Sequence, residues 1–413
     1  MSRLWGVLSV ALLATTVSST CDCGYSVTTT PSVTNDEPPA PPSAYTFTDL
    51  LETDFLHVYA LPNYTTSNTD RIAAFGWQAQ AYNVSPADAR GPYGKSAQVE
   101  NVLVNPLPDE WEWGGEGING GDPGLQLWVR NKANLLQLQD NDDELAIKTG
   151  EMATLRDDMV YGSFRVGMKM SSSRGTCAAF FWYRNDTSEL DLEFLTRQID
   201  SSNLTSPAPL NLVIQTPLSA SHGFDASLTP YFKVHPLPFL PSDSYHEYRI
   251  DWLPESITFF ADGSPLWTIT NTSVIPQEPG HLILNHWSNG DENWSAGPPE
   301  EDAVLTVSYV KAYFNSSDEG RNKVFADNCV SGVSEVCEIR EADWGRGIDP
   351  RGQNGNETGR TPFVGNRTGW TEGDSDPNQK GGASGMEVGV MTMFASLGIM
   401  DLMGIEKAMM TRR

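Results

Sequence analysis

The sequence predicts an all-β sandwich of jelly-roll character. Between residues 45 and 317, short apolar or alternating segments recur between clusters of Gly, Pro, Asn and Asp, at lengths that suit strands. Amphipathic helical periodicity is scarce in this region, and the exception is TFTDLLETDF (46–55), which predicts a short helix. Many strands with few helices over roughly 270 residues favour a sandwich with jelly-roll connections.

The predicted strands share β-branched and aromatic residues and are bounded by turn-forming residues. In chain order they are GLQLWVR (124–130), YGSFRVGMKM (161–170), TCAAFFWYR (176–184), LNLVIQT (210–216), HEYRIDW (246–252), SITFFADG (256–263), GHLILNHW (280–287) and AVLTVSYVKAYF (303–314).

Both flanks of this region have a different composition. Residues 1–20 carry Arg3, a short apolar run and then small residues, which predicts a secretory signal peptide. Residues 21–44 are rich in Thr, Pro and Ser and predict a linker. Residues 318–413 predict a low-complexity, mostly disordered tail with one short apolar segment near its end. The domain is therefore expected at 45–317.

Composition limits the classes of partner. Hydrophobic residues make up 39% of the chain, with 12 Trp, 16 Phe and 13 Tyr, which is enough for a sizeable core. The net charge of −26 argues against nucleic acid and suits a neutral substrate. We expect a secreted monomer, located outside the cell or at the cell wall.

The predicted secretion allows the five cysteines to form disulfides, because these bonds form in oxidising compartments. Cys329 and Cys337 flank a short segment and are expected to close a small loop, and Cys177 lies in an apolar run and is expected in the core. The Cys and His residues lack zinc spacing, so no metal site is expected. Glycosylation motifs N-x-S/T recur, and those at Asn185 and Asn293 lie near the segments discussed next.

The segment SELDLEFL (188–195) carries acidic residues at alternate positions. Side chains alternate along a strand, so Glu189, Asp191 and Glu193 share one face and the leucines share the other. Like charges side by side repel, so the pattern indicates an exposed acidic face, a set of calcium ligands or a site that needs crowded carboxylates. The preceding strand is aromatic, and aromatic rings with carboxylates are typical of a sugar-binding cleft.

Glycoside hydrolysis is the chemistry that suits such a face. Retaining enzymes use two carboxyl groups about 5–5.5 Å apart, one as nucleophile and one as acid and then base. Glu189 and Glu193 lie about 13 Å apart at Cα on an ideal strand, so their long side chains must lean together on a curved sheet. A charge on Asp191 would raise the pKa of a neighbour and keep one glutamic acid protonated.

The sequence around this segment resembles the sequences of glycoside hydrolase family 16. ELDLE followed by Phe-Leu is similar to the catalytic signature of that family in the form without an extra bulge residue, which lichenases and xyloglucan endotransglycosylases share. The resemblance extends in order and spacing over about residues 150–315, and the chain looks most like secreted fungal members. The further matching segments are YGSFRVGMKM, HEYRIDWLPESITFFADG (246–263), GHLILNHWSNGDENWSAG (280–297) and VSYVKAYF (307–314).

The resemblance implies roles for particular residues. Glu189 would be the nucleophile, Asp191 the assisting carboxylate and Glu193 the acid/base. The residues implied to line glucan subsites are Phe181, Tyr183, Asn285, Trp287 and Trp294.

The implied fold is a concanavalin A-like jelly roll with an open cleft across its concave sheet. The implied activity is that of an endo-acting retaining β-glucanase on β-1,3- or mixed β-1,3/1,4-glucan. Two alternatives are a cell-wall transglycosylase on β-glucan and a non-catalytic glucan-binding module.

The chain departs from the lichenase pattern at several positions. Thr187 and Ser188 stand where lichenases carry a Trp, and Gln215 stands where they carry a subsite Asn. Ser308 replaces an Asp that binds structural calcium in lichenases, so no cofactor is expected, with structural calcium as the alternative. An insertion at 104–124, containing two Trp residues, is expected to form a cleft loop. His286 is expected to be a core or rim histidine.

Overall fold

The computed structural model describes residues 21–29, 43–59, 76–109, 112–138, 144–331, 333–339, 363–364 and 370–372. The predicted signal peptide, most of the predicted linker and the apolar segment near residue 400 lie outside these residues. Among the described residues, no helix is both long and apolar enough to cross a membrane.

Strands dominate the described chain. In order they are β1 (Tyr25–Thr29), β2 (Ser43–Phe47), β3 (Asp49–Asp54), β4 (Trp77–Ala79), β5 (Tyr82–Val84), β6 (Gly94–Ala97), β7 (Val102–Asn105), β8 (Gly124–Val129), β9 (Leu136–Gln137), β10 (Leu145–Thr154), β11 (Met159–Lys169), β12 (Cys177–Asn185), β13 (Ser188–Leu195), β14 (Ala208–Gln215), β15 (Phe232–Leu237), β16 (His246–Leu253), β17 (Ser256–Ala261), β18 (Ser264–Ile269), β19 (His281–Trp287), β20 (Ala303–Ser316), β21 (Cys337–Glu338) and β22 (Trp370–Glu372). The eight strands predicted from the sequence are all confirmed.

Helices are few and short. They are α1 (Pro86–Ala89), α2 (Pro217–Ser221) and α3 (Glu319–Asn328), with 3-10 turns at Phe55–His57, Val99–Asn101, Lys132–Asn134, Thr196–Gln198 and Ala226–Leu228. The helix predicted at 46–55 is wrong, because these residues form the end of β2 and all of β3. Every residue of β3 is buried and pairs with β20, so tertiary pairing overrides the local helical pattern.

Two large sheets form the sandwich. The first, here called the cleft sheet, has ten strands in the order β15-β14-β13-β12-β19-β10-β6-β5, with β4 and β9 also paired to β10. The second, here called the outer sheet, has nine strands in the order β18-β17-β16-β11-β20-β3-β22, with β8 joining β20 and β7. The predicted jelly-roll sandwich is confirmed.

The main core lies between the two sheets. From the cleft sheet it receives Leu190, Leu192 and Phe194, as alternation along β13 predicted. From the outer sheet it receives side chains such as Phe164 and Ile250. Because the leucine face of β13 is fixed against this core, its acidic face must point to the opposite side of the cleft sheet.

A third, small sheet lies against the outer sheet and changes the domain boundaries. It has the order β2-β1-β21 and packs Tyr25, Phe47 and Ile339 with Leu50 and Tyr313. Residues 21–29, which the sequence analysis placed in a linker, are therefore part of the folded domain. The folded region also extends beyond 317, since α3 and β21 follow it.

Two disulfides join the early and late parts of the domain. Cys21 is bonded to Cys337 and Cys23 to Cys329. The predicted loop between Cys329 and Cys337 is therefore wrong. Each of these cysteines meets a residue more than 300 positions away, which spacing along the chain cannot reveal.

The insertion at 104–124 packs away from the cleft sheet. Its Trp113 is buried with Leu56, Leu107, Tyr309 and Phe363 on the face of the outer sheet opposite to the core. Leu107 donates its backbone N–H to the Leu56 carbonyl and holds the segment there. The expectation of a cleft loop is therefore wrong for Trp113, and Trp111 lies outside the described residues.

Candidate active site

Strand β13 presents its three carboxylates on the face of the cleft sheet that points away from the core. Glu189 and Asp191 are each 1% exposed, whereas Glu193 is half-buried. Charged groups are rarely buried so completely unless they have partners or a function. Burial therefore distinguishes this row from an ordinary exposed acidic strand face.

The neighbouring strands surround the carboxylates in a fixed register. Glu189 is paired with Tyr183 on β12 and Gln215 on β14. Asp191 is paired with Phe181 and Val213, and Glu193 with Ala179 and Asn211. Paired residues point to the same face, so this register places the polar and aromatic side chains around the carboxylate row.

A cavity of about 180 Å³ lies over this row. It is lined by two of the carboxylates together with aromatic and polar side chains from other strands and loops. The lining residues are Glu189, Glu193, Val213, Gln215, Phe224, Asp225, Ala226, Ser227, Phe232, Trp287, Asn293 and Trp294. A pair of carboxyl groups in one cavity is the arrangement that glycoside hydrolysis requires.

Not every predicted subsite residue reaches this cavity. Trp287, Trp294 and Gln215 line it. Phe181 and Tyr183 are instead buried in a small apolar cluster beside the row, and the Tyr183 hydroxyl donates to Asp186 at 2.9 Å. Asn285 lies two strands away from Glu193, paired with Ala179, and does not line the cavity.

Comparison with known proteins agrees with this geometry. The model of the family "Glycosyl hydrolases family 16" matches residues 109–310, which include the carboxylate row and both tryptophans. Residues 109–310 belong to glycosyl hydrolases family 16.

Relatives within family 16 come from fungi and bacteria. "Congo red hypersensitive protein 1" of Saccharomyces cerevisiae is 25% identical over 199 residues, covering 45% of this chain and 35% of that protein. "Beta-glucanase" of Bacillus licheniformis is 31% identical over 140 residues, covering 32% of this chain and 50% of that protein. "Crh-like protein 3" of Botryotinia fuckeliana is 27% identical, covering 48% and 45%. The chain thus spans a third to a half of the length of these relatives.

A solved structure of Bacillus licheniformis β-glucanase is 21% identical to the chain. The match covers 63% of this chain and 96% of that one, with a TM-score of 0.42.

One wall of the cavity over the carboxylate row is a loop between β14 and β15. Phe224, Asp225, Ala226 and Ser227 of this loop line the cavity. The loop is held by Phe224, which donates its backbone N–H to Ser219 at 2.7 Å, and by Arg90, which donates to the Gly223 carbonyl at 2.9 Å. Phe224 has a φ of 66°, a conformation uncommon for an aromatic residue. The sequence carries no periodic signal for this wall.

A buried polar cluster adjoins the cavity on its other side, and sequence reasoning missed it. The cluster consists of Glu151 on β10, Lys95 on β6, Tyr82 on β5 and Asn285 on β19. The Tyr82 hydroxyl donates to Glu151 at 2.9 Å, and Asn285 is the register partner of Glu151. Only the parallel pairing of β6 with β10 brings Lys95 into this cluster, and no sequence pattern predicts that pairing.

Burial changes the pKa values within the cluster. Desolvation raises the pKa of Glu151 to about 7, against the opposing effects of Lys95 and of a hydrogen bond from Asn285. Desolvation likewise lowers the pKa of Lys95 to about 8, against the opposing effects of Glu151, Cys177 and Glu193. Such perturbed groups are commonest at functional sites.

The other groups that the sequence analysis considered are structural. His286 is fully buried, with Nδ1 at 2.9 Å from the Leu127 carbonyl and Nε2 at 2.9 Å from Thr176 Oγ1. It is therefore a core histidine, and burial lowers its pKa to about 4. Cys177 is free and buried, as predicted. Ser308 donates to the Gly167 carbonyl, and the described residues contain no group of three or more His, Cys, Asp or Glu side chains arranged to hold a metal ion.

Proposed function

We propose that this family 16 domain is an endo-acting, retaining β-glucanase on β-1,3- or mixed β-1,3/1,4-glucan. The observation that carries the proposal is the placement of Glu189 and Glu193 in one cavity, four residues apart on β13, with the rings of Trp287 and Trp294 on its wall. Relatives named β-glucanase give further support.

The proposed reaction has two steps. The Glu189 carboxylate attacks the anomeric carbon while Glu193 donates a proton to the glycosidic oxygen, and the leaving sugar departs with that proton. Glu193, now a carboxylate, takes a proton from water, which attacks the same carbon and releases Glu189. Asp191 between them is proposed to hold the two glutamates in their opposite protonation states. Both steps use carboxyl groups alone, so we propose that the reaction has no cofactor.

The position of β13 within the sheet supports endo cleavage. Strands β14 and β15 lie on one side of it, and β12, β19 and β10 lie on the other. A polymer that crosses the strands would contact protein on both sides of the scissile bond, so cleavage need not occur at a chain end.

A transglycosylase is the second candidate. Phe224 and Phe232 add two rings to the cavity beside the catalytic carboxylates, in addition to the two tryptophans. Because a sugar ring stacks favourably on aromatic rings, a sugar acceptor would bind here in preference to water. The hydroxyl of that acceptor would then replace water in the second step.

We also infer that the protein is secreted. Two disulfides support this inference, since disulfides persist in oxidising compartments and are rare in the cytosol.

The test uses the wild-type protein with laminarin, lichenan and xyloglucan oligosaccharides. Shortened products indicate hydrolysis, lengthened products indicate transfer, and binding without products indicates a glucan-binding module. We expect Glu189→Gln to reduce turnover by at least about 10³-fold. Glu255→Gln, in an exposed turn of the outer sheet, is the matched control and should retain full turnover. Full activity of Glu189→Gln would refute the proposed nucleophile.

The proposed acid/base role of Glu193 is tested with substrates that differ in their leaving group. We expect Glu193→Gln to slow cleavage of glucan by about 10²–10⁴-fold, because the leaving oxygen then receives no proton. Substrates whose aryl leaving group departs without protonation should recover the first step. Equal losses on both substrates would contradict the acid/base role.

A further inference from the structure

We propose that Lys95 is a positioning residue of the reaction, which acts on Glu193 and sets the pH at which that carboxyl loses its proton. The inference rests on the proposed function, since it takes Glu193 as the acid/base. Lys95 lies on β6, outside the segment in which the family signature was found.

The first ground is the position of the ammonium group. Lys95 is 2% exposed, and its Nζ lies 4.1 Å from the centre of the Trp287 ring. Trp287 lines the same cavity as Glu193. A buried ammonium needs such stabilisation, because burying an isolated charge is costly. The contact places a positive charge directly behind one wall of the cavity.

The second ground is the set of titratable groups around Lys95. Strand register places Glu151 on β10 and Glu193 on β13 in one cross-strand row, through Asn285 and Ala179. Glu151, Glu193 and Cys177 on β12 all act electrostatically on Lys95, and Tyr82 reaches Glu151 from β5. Burial raises the pKa of the Cys177 thiol well above its usual value, so Cys177 stays neutral. The charges that act on Lys95 are therefore those of Glu151 and Glu193, while Glu193 also shares its face of β13 with Asp191 and Glu189.

The effect on Glu193 depends on the state of Glu151. Burial raises the pKa of Glu151 to about 7, so below that pH Glu151 is largely neutral and leaves the charge on Lys95 unbalanced. An unbalanced positive charge favours the ionised form of a nearby carboxyl group and lowers its pKa. Lys95 thereby helps Glu193 to become the carboxylate that the second step requires.

The experiment measures kcat/KM against pH for the full chain on its best glucan. In Lys95→Met the basic limb of the profile should move to higher pH by about one unit, because the general acid keeps its proton longer. Lys95→Arg keeps the charge and should restore the wild-type limb. Glu151→Gln fixes this position in the neutral form that Glu151 has below about pH 7, so it should move a limb that lies above pH 7 to lower pH and leave a limb that lies below pH 7 in place.

Lys311 provides a matched control on the outer sheet. It is also a buried lysine, with Nζ 4.8 Å from the Tyr309 ring centre and 3.5 Å from Glu247, but it lies far from the cavity. Lys311→Met should lower thermal stability without moving the basic limb. Should Lys95→Met fail to fold, Lys95→Gln removes the same charge with a polar side chain and should give the same shift.

Three results overturn the inference. The first is an unchanged basic limb in Lys95→Met, the second an equal shift in Lys311→Met, and the third, where the wild-type limb lies above pH 7, an unchanged limb in Glu151→Gln. If the wild-type protein turns over glucan and Glu189→Gln does not, any of these results refutes the proposed role of Lys95 and leaves the proposed function intact. Absence of turnover in the wild type instead refutes the proposed function and, with it, this inference.

Discussion

Gln215 on β14 and Glu189 on β13 are direct register partners, and both side chains line the cavity. Gln215 is 3% exposed, and its Oε1 has no hydrogen-bond partner among the described residues. A buried acceptor without a partner is costly, so a position that keeps one beside a carboxylate indicates a ligand hydroxyl.

We predict that Gln215→Met raises KM for glucan oligosaccharides by about 2- to 10-fold, the loss expected for one hydrogen bond of about 0.5–1.5 kcal/mol. The melting temperature should be unchanged or slightly higher, because a buried unsatisfied amide is removed. Steady-state kinetics and thermal melting measure the two effects. A large drop in melting temperature with unchanged KM would show that Gln215 is a structural residue.

A glycan on Asn293 would stand at the rim of the cavity, since Asn293 is exposed, lines the cavity and lies in an N-W-S motif. We predict that Asn293→Gln, in protein from a glycosylating host, lowers KM for polymeric glucan about 2- to 5-fold, an estimate based on relief of steric crowding. Short oligosaccharides should show little change. Asn271→Gln, which removes a motif that follows β18 of the outer sheet and does not line the cavity, is the control. Equal effects of the two variants would remove the case for crowding at Asn293.

The disulfide Cys23–Cys329 closes a loop of 306 residues in sequence. Replacing both cysteines by serine should lower the free energy of unfolding by about 2–5 kcal/mol, because the unfolded chain regains freedom. Denaturant unfolding measures this difference. Cys177→Ser, which removes the free buried thiol, provides a comparison that leaves both disulfides intact. An unchanged unfolding midpoint in the double variant would show that the bond contributes nothing to stability.

His286 predicts how stability depends on pH. Its folded pKa of about 4 lies below the ordinary value of 6.5, so between these values the unfolded state binds the extra proton. The contribution of His286 to the free energy of unfolding should therefore fall by about 1.4 kcal/mol per pH unit as the pH decreases from 6.5 towards 4. Denaturant unfolding of His286→Gln from pH 7 to 4.5 should show a slope smaller by that amount. An identical slope in both proteins would contradict the buried neutral imidazole.

The sequence predicted the direction of side chains correctly where burial of one strand face enforces alternation of apolar and polar residues. Leu190 and Leu192 face the core, and this alone fixes the direction of the three carboxylates. It was a poor guide to contacts made by partners distant in the chain. Phe224 enters the cavity on a loop without periodicity, and Lys95 enters its cluster through a parallel pairing. The apparent helix at 46–55 is mostly strand because β20 pairs with Asp49–Asp54 and β1 pairs with Thr46 and Phe47.

The small sheet and its two disulfides lie against the outer sheet, on the side of the sandwich opposite to the carboxylates. Cys21 is bonded to Cys337 there, and the last described strand, β22, lies at the edge of the outer sheet, so the described chain begins and ends at the outer sheet. A domain fastened to a surface through either flank would therefore stand on its outer sheet. Its carboxylate-bearing face would point away from the anchorage, towards the surrounding solution.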